Sequence, residues 1–162
     1  MANTVRAIPE GFHSVTPSIT CKNAASAIDF YKKAFGAEEV MRMSGPSGLV
    51  MHGEIKIGDS IIFISDEYAG FSAAPNPQAA PSSSLYLYSD NVDGLFKQAV
   101  SAGCTAAMPL TNQFWGDRYG KVIDPYGHHW GLSQHVEDVA PEEMERRSKE
   151  WMATMAKAAA QN

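Results

Sequence analysis

The strongest constraint on the fold is an internal duplication. Residues 23–36, NAASAIDFYKKAFG, open with Asn, a good helix N-cap, and close with Gly, a good helix stop. Between them Ala24, Ala27, Ile28, Tyr31 and Phe35 fall at spacings that line one helical face. Residues 91–103, NVDGLFKQAVSAG, repeat the plan, with Val92, Leu95, Phe96, Ala99 and Val100 on the stripe and Gly103 at the exit. Within the two segments Tyr31-Lys32-Lys33-Ala34 matches Phe96-Lys97-Gln98-Ala99. Each helix follows a strand-like run, 13–21 and 83–90, and precedes three more. In the first half these are EEVMRM, VMHGEIKI and SIIFIS, the last two joined across Gly58-Asp59, a tight-hairpin pair if the glycine takes positive φ. In the second they are TAAMPL, RYGKVID and HHWGLSQ, the last two joined through Pro125-Tyr126-Gly127.

Two β-α-β-β-β modules, residues 12–66 and 84–135, follow from this pattern, and with them an α+β fold. Residues 67–83, rich in Pro, Ala and Ser, cannot bury enough apolar area to form an element and read as a linker or a lid. Pro141 suits a first helical position, and Met144, Ser148, Trp151, Met152 and Met155 make a stripe that predicts a helix over 141–160, docked on the sheet or on a partner subunit.

Thirteen Lys and Arg against 18 Asp and Glu leave a net charge of −5 with no basic cluster, which argues against a nucleic-acid surface or binding to an acidic membrane. No run approaches the ~18 apolar residues of a membrane span. The first ten residues, MANTVRAIPE, lack the apolar core of a secretion signal, so a cytoplasmic protein is expected. Cys21 and Cys104 stand apart from any paired motif and read as small buried hydrophobes.

The paired modules, with A-x-x-F-Y-x-x-x-F-G-A at 27–37 and D-P-Y-G-H-x-W at 124–130, resemble the vicinal oxygen chelate superfamily of glyoxalase I, fosfomycin- and bleomycin-resistance proteins and extradiol dioxygenases. V-M-H-G-E-I-K-I-G-D-S at 50–60 and Q-F-W-G-D-R-Y-G at 113–120 are similar to its PhnB-like branch. The resemblance implies the glyoxalase/bleomycin-resistance fold, a cupped mixed sheet around a cavity that takes a small-molecule ligand, in a homodimer. It also implies a divalent metal held by His and Glu from the first and last strand of each module. Those positions fall here on Thr16, Phe63, Ser84 and Gly131, none of them a normal ligand for such an ion. The inherited metal site therefore reads as erased and no cofactor is expected, with a non-standard site at His52 or His129 left open.

Strand alternation puts Ser84, Tyr86 and Tyr88 on the concave side of the second module, with His129, Gly131 and Ser133 beside them. On the third strand His52, Glu54 and Lys56 share a face, which makes His52 and Glu54 a candidate acid/base pair or, equally, a structural imidazole and its acceptor. In the 114–118 segment Phe114 is expected to plug the core, Trp115 to stack on a ligand, and Arg118 to clamp an anionic group, the alternative being that Asp117 and Arg118 pair with other charges and fix the loop. His13 reads as an end-of-sheet residue and His128 as a turn residue, and His135, past the last predicted strand, carries no signal. Two functions are consistent with this set. One is a lyase or isomerase working without the usual metal on a small anionic or aromatic molecule. The other is a non-catalytic protein of bleomycin-resistance type that sequesters a drug or metabolite among Phe63, Tyr86, Tyr88 and Trp115. A third, a sensor or assembly subunit, rests on the C-terminal stripe alone.

Overall fold

In the computed structural model, which describes residues 5–160, the first module comprises β1 (Ser18–Cys21), α1 (Ala24–Phe35), β2 (Glu38–Ser44), β3 (Val50–Ile57) and β4 (Ser60–Asp66). The second comprises β5 (Leu85–Tyr88), α2 (Val92–Ala102), β6 (Thr105–Asn112), β7 (Asp117–Ile123) and β8 (His129–His135), and α3 (Pro141–Ala159) follows. The leader reading made on residues 1–10 falls in part, at 1–4, outside the described residues. Among the described residues no helix is long and apolar enough to cross a membrane. The strands make two four-stranded mixed sheets, ordered β1-β4-β3-β2 and β5-β8-β7-β6, with the first and last strand of each module parallel and the other pairs antiparallel.

Local chemistry sets these elements. Asn23 caps α1 by accepting from Ser26 N, Asn91 caps α2 by accepting from Gly94 N, and Gly36 takes the left-handed conformation that ends α1. Gly58 has φ +60 and Ile57 pairs directly with Ser60, so β3 and β4 turn in two residues. Pro109, which has no N–H to give a ladder, is tolerated because β6 lies at the sheet edge, where the register slips between Met108 and Thr111.

The duplication is real, but its register differs from the tetrapeptide match. Ala24 and Val92 both begin helices, and the pair Ser18 with Phe63 recurs as Tyr86 with Gly131, all 68 residues apart. Tyr31 and Phe96 are separated by three residues fewer. Phe96 therefore matches Ile28, and the local identity is a coincidence of apolar periodicity. Gly53 and Gly120 hold matching places, opposite Ile64 and Leu132. A methyl group at Gly53 would lie 3.4 Å from Ile28 Cδ1, and one at Gly120 would lie 2.9 Å from Phe96 Cε2, so each glycine lets its helix settle on its sheet. Asp66 and Gln134 accept from the first amide of α1 and α2 respectively. β1 is shorter than its sequence suggested: Pro17 cannot donate, its carbonyl accepts from Phe63 N, and pairing begins at Ser18.

Ile19, Cys21, Ile55, Ile62, Ile64, Val122, Trp130 and Leu132 face the helix layer, where α1 and α2 also pack together. Burial pushes the thiols of Cys21 and Cys104 up to about 12, so neither is a nucleophile. The two modules are fastened at Asp124, 4% exposed. Its Oδ2 accepts from Tyr31 Oη at 2.7 Å and Trp130 Nε1 at 2.9 Å, while Oδ1 accepts from the amides of Tyr126 and His128. Burial and the Asp124 charge hold the Tyr31 phenol far above its usual range, so it stays a donor. His128 adds a second link, with Nε2 3.0 Å from Thr20 O. Asp124→Ala strands two buried donors and is expected to destabilise the protein by about 3 kcal/mol. Urea denaturation should show a lower midpoint with an unchanged slope.

Candidate functional site

The concave face of the second module is an aromatic wall. Tyr86 and Tyr119 reach toward each other from β5 and β7 and stack at 5.2 Å and 10°. β8 lies between them, and at that place it carries Gly131. A Cβ there would come within 2.8 Å of Tyr119 Cε2 and 2.9 Å of Tyr86 Cδ2, so the missing side chain is the space the rings occupy. Tyr88 lies 5.3 Å from Tyr86, and Trp115, on the turn before β7, lies 6.1 Å from Tyr119. The wall stays available, since Tyr86 is 47% and Tyr88 59% exposed.

Beneath it sits Asp117, 3% exposed. Its Oδ2 accepts from Tyr88 Oη at 2.9 Å and Ser133 Oγ at 3.1 Å, and Oδ1 accepts from His135 Nδ1 at 2.9 Å. His135 Nε2 lies 2.9 Å from Asp138 Oδ1, so in the imidazolium form both ring nitrogens donate to carboxylates. The hydrogen bond to Asp138, and next that to Asp117, raises the imidazole above its ordinary value. Burial works to raise Asp117, but hydrogen bonds from His135, Tyr88, Ser133 and Trp115 outweigh it and hold the carboxyl below its usual range. The sequence offered Asp117 only as a charge that pairs to fix its loop, and gave His135 no role. His135 is the last residue of β8 rather than beyond it, and the parity that places Ser133 on the concave face places His135 there too.

On the first module His52 Nε2 lies 3.2 Å from Glu54 Oε1, and the His52 ring meets Phe63 edge-on at 4.8 Å. The remaining candidates divide between two cavities. Thr16, Ser84, Tyr86, Tyr88 and Trp130 line one of about 520 Å³, between the segment before β1, the β3–β4 hairpin and β5. His129 lines another, of about 580 Å³, with Ser18, Thr20, His128 and the 73–83 strap. There its Nδ1 is buried without a partner, and burial lowers its basicity. His52, Ser84 and His129 are thus not gathered at one point.

Two expectations are corrected. Arg118 does not reach the concave face: it alternates with Asp117 and Tyr119 along β7, and its guanidinium grips Asp93 of α2 through two hydrogen bonds of 2.8 and 2.7 Å and Asn112 through a third. Phe114 is not a core plug; half-buried on its turn, it packs 5.6 Å from Trp151 of α3.

The metal implied by the resemblance does not fit. Gly131 has no side chain and its space holds two tyrosine rings, Phe63 offers a ring against His52, and Thr16 and Ser84 offer only neutral hydroxyls. Among the described residues no three His, Cys, Asp or Glu side chains converge as a ligand set.

Comparison with known proteins agrees with this architecture. The family model described as Glyoxalase/Bleomycin resistance protein/Dioxygenase superfamily matches residues 11–132. The uncharacterized protein Rv0887c of Mycobacterium tuberculosis is 38% identical over 136 residues, covering 82% of this chain and 80% of that protein. The crystal structure of the Arabidopsis thaliana gene product AT5G48480 superposes with a TM-score of 0.61 at 25% identity, over 75% of this chain and 98% of that one. The PhnB protein of Bacillus cereus superposes with a TM-score of 0.59 at 21% identity, over 75% and 99%.

The two carboxylates around His135 make its titration a direct readout of the cluster. By NMR its ring protons should titrate above the ordinary imidazole value of 6.5, and Asp138→Asn should move the midpoint down. Because the folded value is raised, the stability this group contributes is complete below its unfolded value and is lost as pH rises through the folded one. A midpoint in Asp138→Asn equal to wild type would show that the pair does not form.

Proposed function

This chain belongs to the glyoxalase/bleomycin resistance protein/dioxygenase superfamily, in the company of PhnB-like folds, and from that premise we propose that it binds a flat aromatic small molecule without a metal. The observation that carries this reading is the Tyr86–Tyr119 stack over Gly131. Where a metal-using relative would present an oxygen ligand to an ion, this chain presents the face of a ring pair. Flat rings offer large contact area at low entropic cost, and the neighbouring cavity of about 520 Å³ is of the size that encloses a drug-like molecule. An anion clamp is not part of the proposal, because Arg118 is committed to Asp93 on the other face. The role that follows is sequestration of an aromatic drug or metabolite by a cytoplasmic homodimer. Support for the dimer comes from exposed apolar side chains at Met43 and Met51, and at Trp151, Met152 and Met155 on α3.

A second reading, a lyase or isomerase, is favoured by the His52–Glu54 pair, whose 3.2 Å separation is within reach of proton transfer. Its proton chemistry would be visible without knowing the substrate. A small α-hydroxyketone in deuterated water should exchange its α-hydrogen on the enzyme and not on His52→Ala. An absence of exchange with wild type removes this reading and leaves the binding one intact.

For the binding reading, calorimetric titration with naphthalene-type probes should show saturable binding that weakens by about tenfold in Tyr86→Ala or Tyr119→Ala, the scale of losing one stacked ring and its buried area. Arg118→Ala should bind as wild type does. No saturable binding by wild type, or tyrosine variants that bind as tightly as wild type, overturns the proposal.

A further inference from the structure

The hydrogen bonds beneath the aromatic wall have a direction, and the direction fixes what the wall can recognise. Asp117 is a carboxylate held below its usual range and has only lone pairs to offer. At 3% exposure it is out of reach of any ligand and must be satisfied from within. Tyr88 and Ser133 carry one hydroxyl proton each, and both protons go to its Oδ2. His135 in its imidazolium form gives one N–H to Oδ1 and the other to Asp138. These three donors are therefore used in one sense, with protons pointing toward the carboxylates. Of them Tyr88 reaches the cavity, where it lines the wall beside Tyr86 and is 59% exposed. Its oxygen meets an incoming molecule with lone pairs alone.

We propose that Tyr88 Oη is a fixed hydrogen-bond acceptor and that the site selects flat aromatic molecules bearing an O–H or N–H donor over the same ring bearing only acceptors. The inference rests on the aromatic-binding reading above and adds the polarity of the contact. For Tyr88 to donate to a ligand carbonyl or ether instead, its proton must leave Asp117. That removes one of the charge-assisted bonds satisfying a carboxylate that water does not reach. A donor on the ligand disturbs nothing, and the polarised phenol oxygen is a better acceptor for already being a donor to an anion. Asp117 is thus a positioning residue and Tyr88 the residue that touches the ligand.

The test is a matched pair of probes, 2-naphthol and 2-methoxynaphthalene, titrated calorimetrically at pH 7 into the full-length protein and its Tyr88→Phe variant. The ether is the more apolar of the two, so a merely greasy surface would favour it. The expected result is that wild type binds naphthol about tenfold more tightly than the ether, a gap of one net hydrogen bond. In Tyr88→Phe, which keeps the ring and loses the oxygen, the preference should vanish while the ether binds as before. Equal binding of both probes by wild type, tighter binding of the ether, or a preference that survives in Tyr88→Phe overturns the inference and leaves the aromatic reading standing. If neither probe binds wild type, both fall.

Discussion

The arrangement of the molecule hangs on one buried carboxylate. Asp124 sits just past the end of β7, where it must close the β7–β8 turn, and it does so by accepting from two amides of that turn. Its other oxygen is left facing the interior, where two donors from distant parts of the chain converge, Trp130 from its own module and Tyr31 from the other. A local turn requirement thereby becomes the fastening between modules. Removing the carboxylate would leave the donors with no water to turn to, which is why a single group has leverage over the whole interface. The cavity of about 520 Å³ lies beside this fastening, bounded by Trp130, the segment before β1, the β3–β4 hairpin and β5.

Duplication explains why the site lies where it does, and divergence explains what it has become. Thr16 and Ser84, and likewise Phe63 and Gly131, are matching positions of the two modules. At the second pair the halves have moved in opposite directions. Phe63 fills its own place and meets His52, whereas Gly131 is empty and is filled by Tyr86 and Tyr119 from the strands on either side. His52 and Tyr119 are themselves matching residues, placed next to the corresponding glycines, Gly53 and Gly120. The two concave faces therefore carry the same backbone and different chemistry, an imidazole with a carboxylate on one and a ring stack over a hydrogen-bonded acid on the other.

What the sequence disclosed, it disclosed through short-range rules. The Asn23 and Asn91 caps, the two-residue Gly58-Asp59 hairpin and the alternation that puts Tyr86 and Tyr88 on one face all depend on neighbours a few residues away. Arg118 shows how that legibility ends. One residue of parity separates it from Asp117 and Tyr119, and its partner Asp93 lies on another element, so the identity of the residue suggested a clamp while its position denied it. The Asp117 cluster was hidden for a related reason. Its members come from β5, β7, β8 and the segment after β8, and nothing in their spacing marks them as neighbours. The repeat itself was visible, yet its register was set by the strand pairing and by Gly53 and Gly120, which outrank a four-residue similarity on helix faces.

β7 thus runs between two buried acids with separate duties. Asp124, past its end, is satisfied by donors from the helix-side core and carries the fold, while Asp117, at its start, is satisfied by donors on the concave side and organises the wall. Because strand alternation sends the two networks to opposite faces of the sheet, a change in the second has no hydrogen bond through which to disturb the first. Substitutions around Asp117 can then alter the shape and polarity of the wall at little cost to the joint between the modules. A scaffold built in this way can change the chemistry of its concave face while keeping its joint, since the carboxylate that holds the halves together lies on the other side of the sheet.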